Sequence, residues 1–370
     1  MTIKRVKFST TNDMEFVNTL RDRVAEYFKQ KDISRYGNAN MVMKTVTLLA
    51  IYLIPYGLIV TGVVVQPALL FMLWVFMAFG MAGIGMSIMH DANHGSYSQS
   101  ATMNQWIGYL INIVGGSSFV WKIQHNVLHH SYTNIEGHDG DIDTGGILRL
   151  SPHSKRRFYH RVQYIYAWLL YGMMTLNWAT VKDFKQFLEF RAKGLTAKGK
   201  GIFAWQFSRL AMAKLVYYTM MLVLPMLLSP VSWWVTLLFF LSMHFIAGVI
   251  LSSIFQSAHV MPQADFPTAP DSGRMETNWF VHQLQTTCNF SPKSRVFSWF
   301  VGGLNYQIEH HLFPNVSHVH YRHLSKIVKR TAEEYNLPYH VYGNFFAAIW
   351  NHTKELYVLG KPQKVIPVKA

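Results

Sequence analysis

The sequence has little cysteine and little charge. Its one cysteine, Cys288, excludes an intrachain disulfide and any site built from several thiolates, such as a four-cysteine zinc or iron–sulfur centre. We expect this thiol to have a structural role. Charged residues make up 14% of the 370 residues and hydrophobic residues 50%, a balance that indicates a membrane protein.

Basic residues are absent from two long stretches of the chain. No lysine or arginine occurs between Thr45 and Trp121 or between Leu215 and Gly273. Each stretch has room for two helices of about 20 residues, the length that crosses a bilayer. We therefore predict four membrane-spanning helices in two hairpins, at 45–65 and 67–89 and at 210–228 and 231–255.

Acidic residues are also scarce, since 19 Asp and Glu stand against 34 Lys and Arg. No nucleic-acid-binding motif accompanies the excess of basic residues, and basic residues border the predicted spans. The positive charge is therefore interpreted as binding anionic lipid or an acidic partner protein and not nucleic acid. The hairpin turns at Gln66-Pro67 and Ser229-Pro230 carry no charge. We expect both termini to be cytoplasmic, in a bacterial inner membrane, and Lys214 to snorkel to the headgroups.

Several segments outside the spans are predicted to be helical. The apolar segments 105–121 and 162–181 are expected to lie at the interface, because a crossing would put the motifs described below on opposite sides of the bilayer. Residues 12–31 form an amphipathic pattern with Asn12 and Glu15 as a capping pair, and this helix lies either on the membrane or against the protein. A helix is also predicted at 321–335, and a flexible tail at 361–370.

Three histidine motifs follow apolar stretches. They are His90-x3-His94, His125-x3-His129-His130 and Gln307-x2-His310-His311. Histidines four residues apart share one face of a helix and can grip one ion, whereas adjacent histidines point about 100° apart and suit two metals side by side. The pattern predicts a dinuclear site, and neutral imidazole suits iron, zinc, copper or nickel.

These motifs, set on two membrane hairpins, resemble those of the membrane fatty acid desaturases. The glutamine that heads the third motif is similar to the front-end branch, which desaturates towards the carboxyl end of an acyl chain. The resemblance extends from the first hairpin to about His323. It implies two irons held by eight imidazoles, which would be His90, His94, His125, His129, His130, His259, His310 and His311.

Other polar residues near the motifs receive different roles. Gln307 departs from histidine, and it either binds one iron, holds a water or orients a neighbour. Asp91 and Glu309 are expected to accept hydrogen bonds from imidazole N–H groups. His282 is the first further candidate to consider as a ligand, and His244, within the fourth span, should hydrogen-bond to a neighbouring span. The acidic run 139–143 is interpreted as a loop that closes over the site.

The resemblance implies an O2-dependent desaturase that acts on acyl-CoA or acyl-lipid. Because no His-Pro-Gly-Gly haem signature is present, electrons are expected from a separate ferredoxin or small cytochrome. A hydroxylase or ketolase with similar motifs is the main alternative. A metal transporter and a haem electron carrier are disfavoured, since their ligands should lie within the spans.

The predicted fold is an all-α integral membrane protein with two hairpins, interfacial helices and a cytoplasmic helical cap that holds the histidine-rich dimetal site. We expect five segments: an N-terminal helical region, the first hairpin, a catalytic segment with two motifs, the second hairpin, and a C-terminal segment with the third motif. Their bounds are 1–44, 45–89, 90–209, 210–255 and 256–370.

Overall fold

A computed structural model describes residues 6–362, so nearly all of the predicted tail lies outside the described residues. The described chain begins with strand β1 (Lys7–Ser9) and helix α1 (Met14–Lys31). The apolar face of α1, which includes Phe16 and Leu20, is buried in a cluster with Leu324 from the C-terminal region. Of the two positions that its pattern allowed, α1 therefore takes the one against the protein.

The predicted capping pair of α1 is wrong. The helix is preceded by Asp13 in a left-handed backbone conformation (φ 58°), and no side chain caps its first turn. The Asn12 amide instead donates to the Glu276 carbonyl oxygen (2.8 Å). The Asn12 side chain therefore makes a tertiary contact and does not cap the helix.

Four helices within residues 6–362 are long and apolar enough to cross a membrane, as predicted. Helix α2 (Ala39–Val60) and helix α3 (Pro67–Asn93) form the first hairpin, and the second hairpin is described below. Backbones approach closely inside the first hairpin, because a Cβ atom on Gly80 would lie 2.9 Å from Tyr52. Small residues permit such contact between membrane helices.

The segment between the hairpins consists of short helices. Both apolar segments of this region are broken into pieces, and neither is among the four candidate spans. The elements are α4 (Ala101–Gly108), α5 (Leu110–Ile113), α6 (118–132), α7 (Gln163–Gly172), α8 (174–182) and α9 (Asp183–Ala192), with a 3-10 turn at Phe158–Val162.

The second hairpin pairs helix α10 (Lys200–Leu228) with helix α11 (Trp233–His259). A Cβ atom on Gly248 of α11 would lie 2.5 Å from the carbonyl oxygen of Gly172, so α7 and α11 are in backbone contact. His244 of α11 hydrogen-bonds to the Tyr217 hydroxyl of α10 (2.7 Å), which confirms the predicted bond to a neighbouring span.

Lys214 does not reach the headgroups as predicted. It is buried, and its Nζ donates to Asp183 Oδ2 (2.5 Å) and to the carbonyl oxygens of Gly115 (2.6 Å) and Trp178 (2.9 Å). A buried ammonium needs such partners to offset its lost hydration. The carboxylate that makes burial possible comes from α9, 31 residues away in sequence.

The C-terminal region packs against the ends of the hairpins that carry His90 and His259. Its elements are β2 (Arg274–Asn278), α12 (Trp279–Thr286), β3 (Cys288–Phe290), α13 (Arg295–Phe300), α14 (Gln307–Leu312), α15 (Tyr321–Glu334), β4 (His340–Tyr342) and α16 (Phe345–Gly360), with a 3-10 turn at His318–His320. Strands β1 and β2 pair in parallel, as do β3 and β4, so the helical fold contains two small sheets. Cys288 is buried in β3, and burial raises the pKa of its thiol, which suits a structural role.

Candidate metal centre

The histidine motifs lie on helices that end at the same side of the two hairpins. His90 is in the last turn of α3, with His94 just beyond its end, and His259 is the last residue of α11. The second motif is on α6 and the third on α14. The second helix of each hairpin thus delivers histidine to the place where the other motifs lie.

Two of the motif-bearing helices contain π-helical turns, one at Ile84–Ile88 just before His90 and one at Ile123–His129. A π turn adds a residue per turn, and such turns are frequent at functional sites. In α6 the Nε2 atoms of His125 and His130, five residues apart, are 3.2 Å from each other. The spacing argument therefore holds for His90 and His94, whereas the closest imidazole partner of His125 within its motif is His130, not His129.

The imidazoles form two adjacent groups whose nitrogen atoms lie within 4.8 Å of one another. The first group contains His90, His94, His125 and His310, and the second contains His129, His259 and His311. His130 connects them, because its Nε2 is 3.0 Å from that of His310 and its ring is stacked on His311 with centroids 4.4 Å apart. His310 and His311 belong to different members of these two groups, but they also form a third potential metal-binding group with His130, so the division of this adjacent pair between two metals stays a prediction.

Several of these buried nitrogens have no hydrogen-bond partner in the described structure. They are Nε2 of His94, His129 and His311, Nδ1 of His130, and both ring nitrogens of His259. Buried polar atoms are normally paired, so unpaired nitrogens that converge from several elements indicate the place of a ligand. The residues fit a pair of metal ions bound by neutral imidazole.

The protonation of the cluster supports the same interpretation. Burial, followed by the charges of neighbouring imidazoles, holds the pKa values of His94, His125 and His310 well below their ordinary value. The pKa of His311 is lowered for the same reasons. These rings are neutral at physiological pH, which is the form that binds metal.

His129 differs from the others because a carboxylate faces it. Its Nδ1 donates to Asp139 Oδ2 (3.0 Å). Burial by itself would lower the pKa of His129, but the charge and hydrogen bond of Asp139, together with the charge of Asp141, raise it. The bond to Asp139 directs Nε2 towards the second group and makes the ring a stronger ligand. Asp141 lies 3.6 Å from the same nitrogen and forms a further potential metal-binding group with His125 and His129.

Gln283 is a second orienting residue that the sequence did not reveal as such. Its Oε1 accepts a hydrogen bond from His311 Nδ1 (2.8 Å), and it is fully buried. The neighbouring His282, considered above as a further ligand, instead donates from Nε2 to the carbonyl oxygen of Thr133 (3.0 Å). The sequence does show polar residues next to His282, but nothing in it indicates which of them faces the histidine cluster.

Asp91 and Glu309 do not contact the motif histidines as predicted. Asp91 Oδ1 lies 2.9 Å from His318 Nδ1, and Asp91 Oδ2 accepts hydrogen bonds from the Ser317 hydroxyl (2.8 Å) and the His318 backbone N–H (3.1 Å). Glu309 accepts from the Asn289 amide and from the Tyr339 hydroxyl, and burial raises its pKa to about 7. Each is adjacent in sequence to a histidine that faces the cluster, Asp91 to His90 and Glu309 to His310, and neighbouring residues of a helix point about 100° apart, so each carboxylate faces away from the cluster.

Two further residues border the site. Gln307 is buried and lies next to His259, in the second group. His318, which contacts Asp91, also contacts the buried Lys44. The Lys44 ammonium donates a hydrogen bond to His318 Nε2 (2.5 Å). Lys44 is thus part of the packed interior.

The fold and the site together define an integral membrane protein with a histidine-rich metal site at one end of two helical hairpins. The chain matches the fatty acid desaturase family over residues 23–343. It is 35% identical to an acyl-lipid (8-3)-desaturase of Physcomitrium patens over 96% of this chain and 74% of that protein. It is 33% identical to an sn-1 linoleoyl-lipid 6-desaturase of Synechocystis sp., over 98% and 99% of the two chains. The protein belongs to the fatty acid desaturase family and is an oxidoreductase.

Proposed function

We propose that this protein is a di-iron, O2-dependent acyl desaturase of the front-end type. The observation that carries the proposal is the convergence of eight imidazoles in two adjacent groups beside the membrane hairpins. Front-end regioselectivity is supported by Gln307 and by the printed activities of the relatives, a linoleoyl-lipid 6-desaturase among them. Bound iron would supply the oxidant: O2 would take two electrons from the donor, two protons from solvent, and two hydrogen atoms from adjacent carbons, to give an alkene and two waters.

The protein's own residues would supply position and a dry environment. Trp121 lies against three imidazoles of the first group, with ring centroids 5.4 Å from His90, 5.7 Å from His94 and 4.4 Å from His125. Phe255 has the same relation to the second group, 5.0 Å from His129 and from His259. These apolar walls would hold an acyl methylene beside the site and exclude water.

The site and both chain ends would face the cytoplasm. This arrangement is supported by the basic residues that flank the spans and by the charge-free hairpin turns. Val65→Cys and Lys326→Cys, each in a Cys288→Ser background, should report it. The Val65→Cys protein should react with a membrane-impermeant maleimide in intact cells and the Lys326→Cys protein only after lysis; the reverse pattern would contradict the orientation.

Electrons would come from a separate acidic carrier such as a ferredoxin. Lys31 at the end of α1, and Arg322 and Lys326 on the first turns of α15, surround His323. None of these three cations forms an ion pair within residues 6–362. The same helix begins with Tyr321, whose hydroxyl is 3.4 Å from His310 Nδ1. An acidic donor attracted to this patch would arrive next to a candidate ligand.

Charge reversal separates donor docking from chemistry. Lys326→Glu should raise the KM for a plant-type ferredoxin and weaken its salt dependence, whereas Lys329→Glu, at an ion-paired position, should change it less. Single turnover driven by dithionite should be the same in both variants. Equal ferredoxin kinetics in the two variants would show that the donor binds elsewhere.

Expression in a host of known lipid composition tests the function itself. Mass spectrometry of the acyl chains should show a loss of two hydrogens and a new double bond near the carboxyl end, and gain of an oxygen would indicate a hydroxylase instead. His310→Ala should abolish the product and lower the metal content while the protein still inserts into membranes. Full turnover in that variant would remove His310 from the ligand set.

A further inference from the structure

One cavity at the protein surface reaches the first group of histidines at His94. It has a volume of about 600 Å3, within the range of roughly 300–1,000 Å3 that small-molecule sites occupy. His94 is in its wall, and among the eight candidate ligands His94 is the one that is not fully buried. Among the described candidate ligands, His94 is therefore the one that a molecule bound in this cavity would contact.

The cavity is positively charged. Lys122 from α6 and Arg209 from α10 are in its lining, and no carboxylate is found among the described lining residues. Neither cation forms an ion pair within residues 6–362. Arg209 donates a hydrogen bond to the Tyr109 hydroxyl (3.3 Å), which also accepts one from Gln105 (2.9 Å). The hydrogen bond from Gln105 and the charges of Arg209 and Lys122 lower the pKa of Tyr109.

Two helices that contribute to the cavity lining, α4 and α10, carry exposed side chains typical of a membrane interface. On α4, Trp106 is 68% and Met103 48% exposed, and on α10 Trp205 is 59% exposed. The Arg209 guanidinium lies 4.5 Å from the centre of the Trp205 ring. Tryptophan and arginine together mark the headgroup level of a bilayer.

We propose that this cavity binds the phosphate-bearing head group of the acyl donor between Lys122 and Arg209. The inference rests on the proposed desaturase function and names its substrate class. Two unpaired cations form charge-assisted hydrogen bonds with a phosphate, whereas an uncharged sugar head group would leave both without a counter-ion. A head group held in this cavity would place the carboxyl end of the acyl chain on the His94 side of the metal site, in keeping with front-end desaturation.

Binding is the direct test and does not depend on turnover. Purified full-length protein in detergent would be titrated with phosphatidylglycerol, monogalactosyldiacylglycerol, linoleoyl-CoA and inorganic phosphate. Phosphatidylglycerol or linoleoyl-CoA should bind at least about tenfold more tightly than the galactolipid. The two phosphate-bearing probes distinguish a membrane lipid from a soluble thioester as the source.

Variants assign the effect to the cavity. Lys122→Gln and Arg209→Gln should each weaken binding of the preferred donor about tenfold, and Lys122→Arg should restore it. Lys185→Gln, an exposed lysine on α9 outside the cavity, is the matched control and should bind as the wild type does. Equal affinity for phosphate-bearing and neutral lipid, or an equal loss in the control, would overturn the proposal, as would binding of inorganic phosphate without any preference among the lipids.

Product analysis with the preferred donor keeps the two proposals apart. Normal head-group binding without a new double bond would refute the desaturase function and leave the head-group site standing. Normal desaturation with no phosphate preference would refute only the head-group site.

Discussion

Replacement of Asp139 by asparagine tests how the centre is built. The carboxylate is buried and accepts three hydrogen bonds: Oδ2 from His129 Nδ1 (3.0 Å) and from the Asn134 N–H (2.9 Å), and Oδ1 from the Asp141 N–H (2.9 Å). An asparagine of the same size keeps one acceptor oxygen. In either orientation its NH2 group faces at least one N–H donor, so at least one hydrogen bond is lost.

The magnitude follows from these contacts. Loss of a residue that orients a metal-bound histidine typically lowers metal affinity about 10- to 100-fold, which is about 1.4–2.7 kcal/mol. An unsatisfied buried donor costs about 1–3 kcal/mol of stability in addition. We expect Asp139→Asn to insert into the membrane, to lose metal to a competing chelator at correspondingly lower concentrations, and to make less product.

The control is Asp143→Asn, the same substitution in the same loop at an exposed aspartate. Metal content would be measured by inductively coupled plasma mass spectrometry during a chelator titration, and product by gas chromatography of cellular lipids. If Asp139→Asn retained metal as tightly as the control did, the orienting role assigned to this carboxylate would be refuted.

Three further substitutions test packing and the site. Gln307→His should retain metal but lower turnover about tenfold, because the larger imidazole ring overpacks the buried position beside His259. Metal analysis and product yield would measure this, and turnover equal to the wild type would favour a simple exchange of one ligand for another. Lys214→Met should destabilise the protein by about 3–5 kcal/mol, because it leaves Asp183 buried without a counter-charge. Thermal unfolding in detergent should show recovery when Asp183→Leu is added, and no recovery would argue against the ion pair. Gly248→Ala should lower the free energy of unfolding by about 1–3 kcal/mol, because the added methyl group clashes with α7. Gly57→Ala, which has open space around it, is the control and should not lower stability. Equal unfolding midpoints in the two variants would contradict the close contact.

The sequence alone determined the membrane architecture and the chemistry of the site. Long, uninterrupted apolar stretches without charge predict spans, because the bilayer core excludes charge regardless of tertiary contacts. Histidine spacing along a single helix likewise predicted that His90 and His94 belong to one group of imidazoles. These are local properties, read over a few residues of one helix.

Only the tertiary structure decided which side chains meet across the chain. The π turn in α6 brings His125 to His130, and packing brings both to His310, 180 residues beyond His130. The orienting roles of Asp139 and Gln283, the burial of Lys214, and the cationic cavity at His94 depend on the same packing. Sequence periodicity shows which face of a helix is apolar or polar, but the partner of that face is set by how the helices pack, and this is why the contacts could not be predicted from the sequence.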